Sequence, residues 1–122
     1  MSVLVCVTGQ KSCERLIVAG AKIAREENVR LNVLHVVRTG GSVLGFVNEP
    51  EALEYLLTVS VENGASMYVR RADDVVSSIE YAAKNEDCTA LVAGRAADYS
   101  GHDLLDELKL RLPGVRFVII PA

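Results

Sequence analysis

The sequence predicts one α/β domain: a five-stranded parallel sheet with helices on both faces, a three-layer sandwich. Two patterns carry this reading. Apolar runs at 3–7, 31–37, 89–93 and 115–120 lack polar alternation, as strands covered on both faces do. Between the strands lie stretches with apolar residues at helical spacing, so the order reads βαβαβαβαβ. Size agrees: 122 residues, half of them hydrophobic, suit a single core and leave no disordered class open.

The first strand, Val3-Leu4-Val5-Cys6-Val7, stops at Thr8-Gly9. Ser12 is placed to cap the next helix, in which Cys13, Leu16, Ile17, Gly20, Ile23 and Ala24 share a face and Lys22, Arg25 and Glu26 lie outside. Leu31 to Val37 form the second strand. Residues 38–49 hold three glycines and read as an unusually long loop. Pro50 suits the first turn of a second helix, and Leu53, Leu56, Leu57, Ser60 and Val61 form its expected buried stripe. Asn63-Gly64 ends that helix. Residues 66–70 make a more polar third strand. Asp73 is the expected N-cap of a third helix with Val75, Val76, Ile79, Ala82 and Ala83 inward. The fourth strand, 89–93, ends at Gly94. Ser100-Gly101-His102-Asp103 has the form of a capping box, opening a helix with Leu104, Leu105 and Leu108 inward. Pro113-Gly114 then turns the chain into the last strand, which Pro121 closes.

Charge and composition exclude several partners. The net charge of −3 comes from 13 basic and 16 acidic residues with no basic stripe, and there is no Trp among the few aromatics. Neither a phosphate-tracking surface nor a base-stacking platform follows, so nucleic acid is not expected. No stretch nears the ~20 apolar residues that span a bilayer. Met1-Ser2 leads directly into a strand-like run without the charged region of a signal peptide, so a cytoplasmic, non-membrane location is expected. Cys6, Cys13 and Cys88 are odd in number, lack a CxxC spacing and read as reduced thiols.

In a sheet of this type ligands bind beyond the carboxyl ends of the strands, at the switch point. The loops at 8–12, 38–49, 70–73 and 94–100 are therefore the ones that carry chemistry. Gly9-Gln10-Lys11-Ser12 ends like a phosphate-binding loop, but Gln10 and Val5 stand where two glycines are needed to bare the backbone N–H groups. A GxGxxG fingerprint is absent. Cys6, Val7 and Thr8 end the first strand where a Mg²⁺-holding acidic cluster would be required, so no metal site is assigned. His35, inside a strand, reads as a half-buried structural residue and His102 as solvated. Neither is placed beside a nucleophile, so no catalytic residue is assigned. Cys6 reads as a small core hydrophobe, and Cys13, one turn into a helix, would have a lowered pKa if exposed.

With these residues in view, positions 3–121 resemble the universal stress protein family. The resemblance lies in VLVCVTGQKSCERLIVAGAKIA, LNVLHVV, ADDVVSSIEYAAKNEDCTALVAG and the closing FVIIP, in that order and spacing. The first segment is also similar to the stress-protein-like domain of potassium-sensing histidine kinases. The resemblance implies the adenine nucleotide alpha hydrolase-like fold with strand order 3-2-1-4-5. In the nucleotide-binding branch an acidic residue usually ends the first strand, and here Thr8 takes its place. That branch also has Gly, two residues, Gly, nine residues, then Gly with Ser or Thr after strand four. Only the first is present, as Gly94; Ala97, Glu107 and Leu108 fill the other places. Glu107, Asp98, Asp103 and Asp106 would repel a phosphate, with Arg95 the one cation nearby in the sequence.

The chain therefore resembles the branch that does not bind ATP, which implies a cytoplasmic regulatory or stress-linked protein, often a homodimer, without assigned catalysis. A dimer has its own argument. The last strand is apolar on both faces and lies at a sheet edge in the usual order, so Val115, Phe117 and Ile119 mark an edge that pairing with a second copy would cover. The alternative is a small-ligand sensor. It would grip ATP or AMP through Thr8, Gly9, Val37, Gly94 and Arg95, using backbone groups and the 38–49 loop as a lid.

Overall fold

The computed structural model describes residues 1–8, 10–45, 48–94 and 104–121. Its five strands are β1 (Ser2–Val7), β2 (Arg30–Val37), β3 (Ser66–Arg71), β4 (Cys88–Gly94) and β5 (Arg116–Ile120). They form one sheet in the order β3-β2-β1-β4-β5, and every neighbouring pair is parallel. The helices are α1 (Gln10–Glu27), α2 (Glu49–Glu62), α3 (Val75–Asn85) and α4 (Leu104–Arg111). The expected architecture and strand order are both found.

Alternation along the strands builds two cores. Val3, Val5, Val7, Val33 and Val37 face α1 and α2, whereas Leu4, Cys6, Leu34 and Leu91 face α3 and α4. The central strand β1 is buried along its whole length, which is why its sequence has no polar alternation. The edge strand β3 is mostly exposed or half-buried, and its polar sequence SMYVRR follows from that position. The other edge, β5, is apolar and half-buried from Phe117 onward.

Several boundaries differ from expectation. α1 begins at Gln10, so Ser12 lies inside the helix instead of capping it. The N-cap of α3 is Asp74 and not Asp73: its carboxylate accepts the Ser77 N–H at 3.0 Å. On α2 the buried row is Ala52, Leu56, Val59 and Ser60, while Leu57 and Val61 are 49% and 64% exposed. Leu56 and Ser60 are buried as expected and Leu53 packs half-buried on the core, so the buried face is rotated toward Ala52 and Val59 and away from Leu57 and Val61. Asn48 caps α2 by accepting from the Glu51 N–H, and Pro50 falls in the first turn as expected. Val115 belongs to the turn before β5, so of the three edge residues only Phe117 and Ile119 are in the strand. The expected capping box at 100–103 lies outside the described residues.

Candidate functional site at the carboxyl end of the sheet

From β1 the chain winds through α1 and α2 to β3, then returns to the other side of β1 to form β4 and β5. The connections after β1 and β4 thus leave toward opposite faces of the sheet, and the carboxyl ends of these two neighbours mark the switch point of the strand order. Thr8, exposed, follows the end of β1; Val37 ends β2; Gly94 ends β4. Three of the five expected nucleotide contacts therefore come to one end of the three central strands. Gly9 and Arg95, like Ala97, Asp98, Asp103 and His102, lie outside the described residues.

Val37 has less to offer a ligand than its position suggests. Its side chain is in the core, and its carbonyl accepts the Ala72 N–H at 2.9 Å, which leaves one lone pair. At Gly94 an added Cβ would meet Leu16 Cδ1 at 3.7 Å, an ordinary contact, so packing against α1 does not demand glycine there.

The rim beyond β2 is shaped by a loop that does not stand free. Its residues Val43 and Leu44, in a 3-10 turn over Val43–Gly45, are 1% and 4% exposed and belong to the α1–α2 core. Leu44 holds φ at 53°, the left-handed region that a branched side chain tolerates poorly. Three polar contacts hold the segment. The Gly41 N–H donates to the Arg38 carbonyl at 2.8 Å, Arg71 donates to the Gly41 carbonyl at 3.2 Å, and the Leu44 N–H donates to His35 Nε2 at 2.9 Å. Arg71 also pairs with Glu49 in the first turn of α2, so one side chain at the end of β3 joins loop to helix.

His35 is 3% exposed, more buried than expected, and its role is structural as expected. Because Nε2 accepts from Leu44, the ring proton is on Nδ1, which donates to the Val7 carbonyl at 2.8 Å. Burial lowers the pKa of His35, and the bond to Val7 opposes that shift in part. Both ring nitrogens are thus committed to backbone groups and neither is left to act as a base.

The thiols are equally withdrawn. Cys6, Cys13 and Cys88 are buried and free. Burial pushes Cys13 up to about 11, so the lowered pKa expected for an exposed position near a helix start is reversed. Cys88 is also pushed up to about 11 by burial, and Cys6 well beyond the ordinary thiol range. Glu107, expected to repel a phosphate, accepts from Arg111 at 2.8 Å, and Arg111 reaches Glu80 of α3 at 3.2 Å. Among the described residues no group of three or more His, Cys, Asp or Glu side chains could hold a metal ion. No helix among them is long and apolar enough to cross a membrane.

Sequence reasoning did not single out Arg71, Val43 or Leu44. The apolar pair at 43–44 within a glycine-rich loop was the one signal that this loop has a buried anchor. Nothing local marks Arg71, whose partners are 22 and 30 residues away.

No family model matches the chain. A curated relative, the sensor protein KdpD of Mycobacterium tuberculosis, is 31% identical over 105 residues, 86% of this chain. The chain spans 12% of that sensor's length. A universal stress protein solved in complex with cAMP superposes with a TM-score of 0.73 at 14% identity, covering 99% of this chain and 96% of the other. The universal stress protein of Archaeoglobus fulgidus in complex with dAMP gives 0.66 at 18% identity, again over 99% and 96% of the two chains. The chain therefore has the universal stress protein fold, the adenine nucleotide alpha hydrolase-like arrangement that the resemblance implied. The sequence match to a sensor agrees with the second resemblance, to a stress-protein-like domain inside a kinase.

Proposed function

We propose that this is a non-catalytic regulatory domain of the universal stress protein type, one that neither hydrolyses ATP nor binds it tightly. The observation that carries the proposal is the residue set at the switch point. Thr8 stands exposed where an acidic residue would help hold adenosine, and of the phosphate-loop pattern after β4 only Gly94 is kept, with Ala97, Glu107 and Leu108 in the other places. Calorimetry with ATP, with and without Mg²⁺, tests it. Heat consistent with a Kd tighter than ~10 μM, about −7 kcal/mol, would overturn it.

A second reading, an adenine mononucleotide sensor, is favoured by the cAMP and dAMP complexes of the two fold relatives. One phosphate asks less of this loop than three, and α1 begins just after β1 at the switch point with no acidic residue in its first turn. Under this reading AMP binds where ATP does not, through Thr8, Gly9, Val37, Gly94 and Arg95. The same calorimetry with AMP decides it: no heat at ligand concentrations near 1 mM, about −4 kcal/mol, sinks the sensor.

The domain works as a cytoplasmic homodimer paired through β5, or as the equivalent segment of a longer sensor. An apolar, half-buried edge strand supports pairing, since an uncovered edge of this composition invites association. Phe117 and Ile119 pack on the α3–α4 core, so the contact would run through the β5 backbone and the outer parts of these side chains. Sedimentation is expected to show a dimer that Ile119→Lys weakens, and a wild-type protein that runs as a monomer contradicts it.

A further inference from the structure

The loop over the carboxyl end of β2 is held in a strained shape by one neutral imidazole. Leu44 keeps a left-handed backbone despite its branched side chain, a conformation that persists only where the surroundings over-determine it. Two things do so: burial of its side chain in the α1–α2 core, and donation of its N–H to His35 Nε2 at 2.9 Å. The other ring nitrogen is anchored to Val7, the last residue of β1, at 2.8 Å. One side chain therefore ties the strand that ends at the switch point to the loop that rims it.

We propose that His35 is a positioning residue for this site: its neutral form clamps the loop against β1, and protonation at Nε2 turns the clamp into a repulsive contact that frees Leu44. The chemistry is specific to the ring. With Nε2 protonated, the imidazolium still donates to the Val7 carbonyl, but it meets the Leu44 N–H donor to donor. The buried amide then has no acceptor, and the left-handed backbone loses one of its two supports.

The surroundings do little to favour the cation. The elements packed on this face carry several titratable groups, among them Cys13 and Glu14 on α1, Tyr55 and Glu49 on α2, Arg71 on β3 and Arg38 in the loop. Cys13 is a neutral thiol, and Arg71 and Glu49 pair with each other. Burial is the largest influence on the His35 pKa and lowers it from 6.5, with the bond to Val7 opposing it in part. A lowered folded pKa means that the clamp's contribution to stability is fully present above 6.5 and is lost as the pH falls toward the folded value. The loop is thus closed at neutral pH and loosens in acid.

The proposal rests on the reading of this end of the sheet as a ligand site, yet its test needs no ligand, so the two fail separately. Amide hydrogen exchange of the intact protein, corrected for intrinsic rates, is followed by NMR while imidazole ¹⁵N shifts report the titration of His35. Protection of the Leu44 amide is expected to fall at least about tenfold through that titration while Val33, in the middle of β2, stays protected. A Leu44 amide equally protected in both states of His35 overturns the clamp. So does loss of protection at Leu44 and Val33 together, which would be global unfolding. In His35→Gln, whose side-chain oxygen accepts without titrating, Leu44 protection is expected to be flat with pH, and a loss equal to the wild type's would overturn the assignment to His35. If this variant does not fold, the wild-type titration decides alone.

Discussion

Replacing Leu16 by Ala is expected to cost about 2–5 kcal/mol of folding stability, the largest loss foreseen for a single substitution in this chain. Leu16 is fully buried on α1, in the core that joins α1 and α2 to the odd-numbered residues of β1. Its Cδ1 lies 3.7 Å from where a Cβ on Gly94 would stand, so it also supports the end of β4 at the switch point. Truncation would leave a cavity between helix and sheet that neither β-branched strand residues nor the short side chains of α1 can collapse to fill. Urea unfolding should give a lower midpoint at unchanged slope. A loss under about 1 kcal/mol would mean that α1 settles onto the sheet far more easily than this packing allows.

The second prediction is decided by sign. Gly20→Ala in an ordinary exposed helix interior stabilises by about 1 kcal/mol, because alanine restricts the unfolded chain and favours the helix. Here it is expected to destabilise by about 1–3 kcal/mol net. A Cβ at position 20 would overlap Val5 Cγ2, far inside the ~3.5 Å at which two carbons rest, and Leu31 Cδ1 would be 3.2 Å away. Val5 is fully buried and β-branched, so it has no free rotamer to retreat into. The helix must lift off β1 instead. A midpoint of thermal unfolding that falls by several degrees supports this close approach, whereas one that rises shows that α1 has room to move.

Both positions show how far local patterns reach. Gly20 was legible as a core-facing residue of α1 from its spacing with Leu16 and Ile17, but spacing does not say that Val5 of β1 stands against it. On α2 the limit is plainer. Of the expected stripe Leu53, Leu56, Leu57, Ser60 and Val61, the helix buries Leu56 and Ser60 but exposes Leu57 and Val61 and buries Ala52 and Val59 instead. Periodicity marks a face only to within a residue or so, and contact with the sheet fixes how that face is rotated. The thiol of Cys13 shows the same divide: its place near a helix start argues for a lowered pKa, and its complete burial reverses the shift.

The sequence by itself determined the order of elements and the parallel sheet, because each follows from periodicity or from the handedness of βαβ crossovers. It also showed that the pattern of a triphosphate site is broken, at Thr8, Ala97, Glu107 and Leu108, since that is a matter of residue identity. Tertiary structure decided what those residues meet. Glu107 turns to Arg111 and Val37 gives its carbonyl to Ala72. The glycine-rich loop is anchored through Leu44, and His35 becomes the acceptor that holds it. The Glu107–Arg111 pair is an i,i+4 contact within α4, but the bonds at Val37 and His35 join groups 35 and 9 residues apart where the strands end. Which donor meets which acceptor there depends on strand register and loop path, and no short window of sequence contains either.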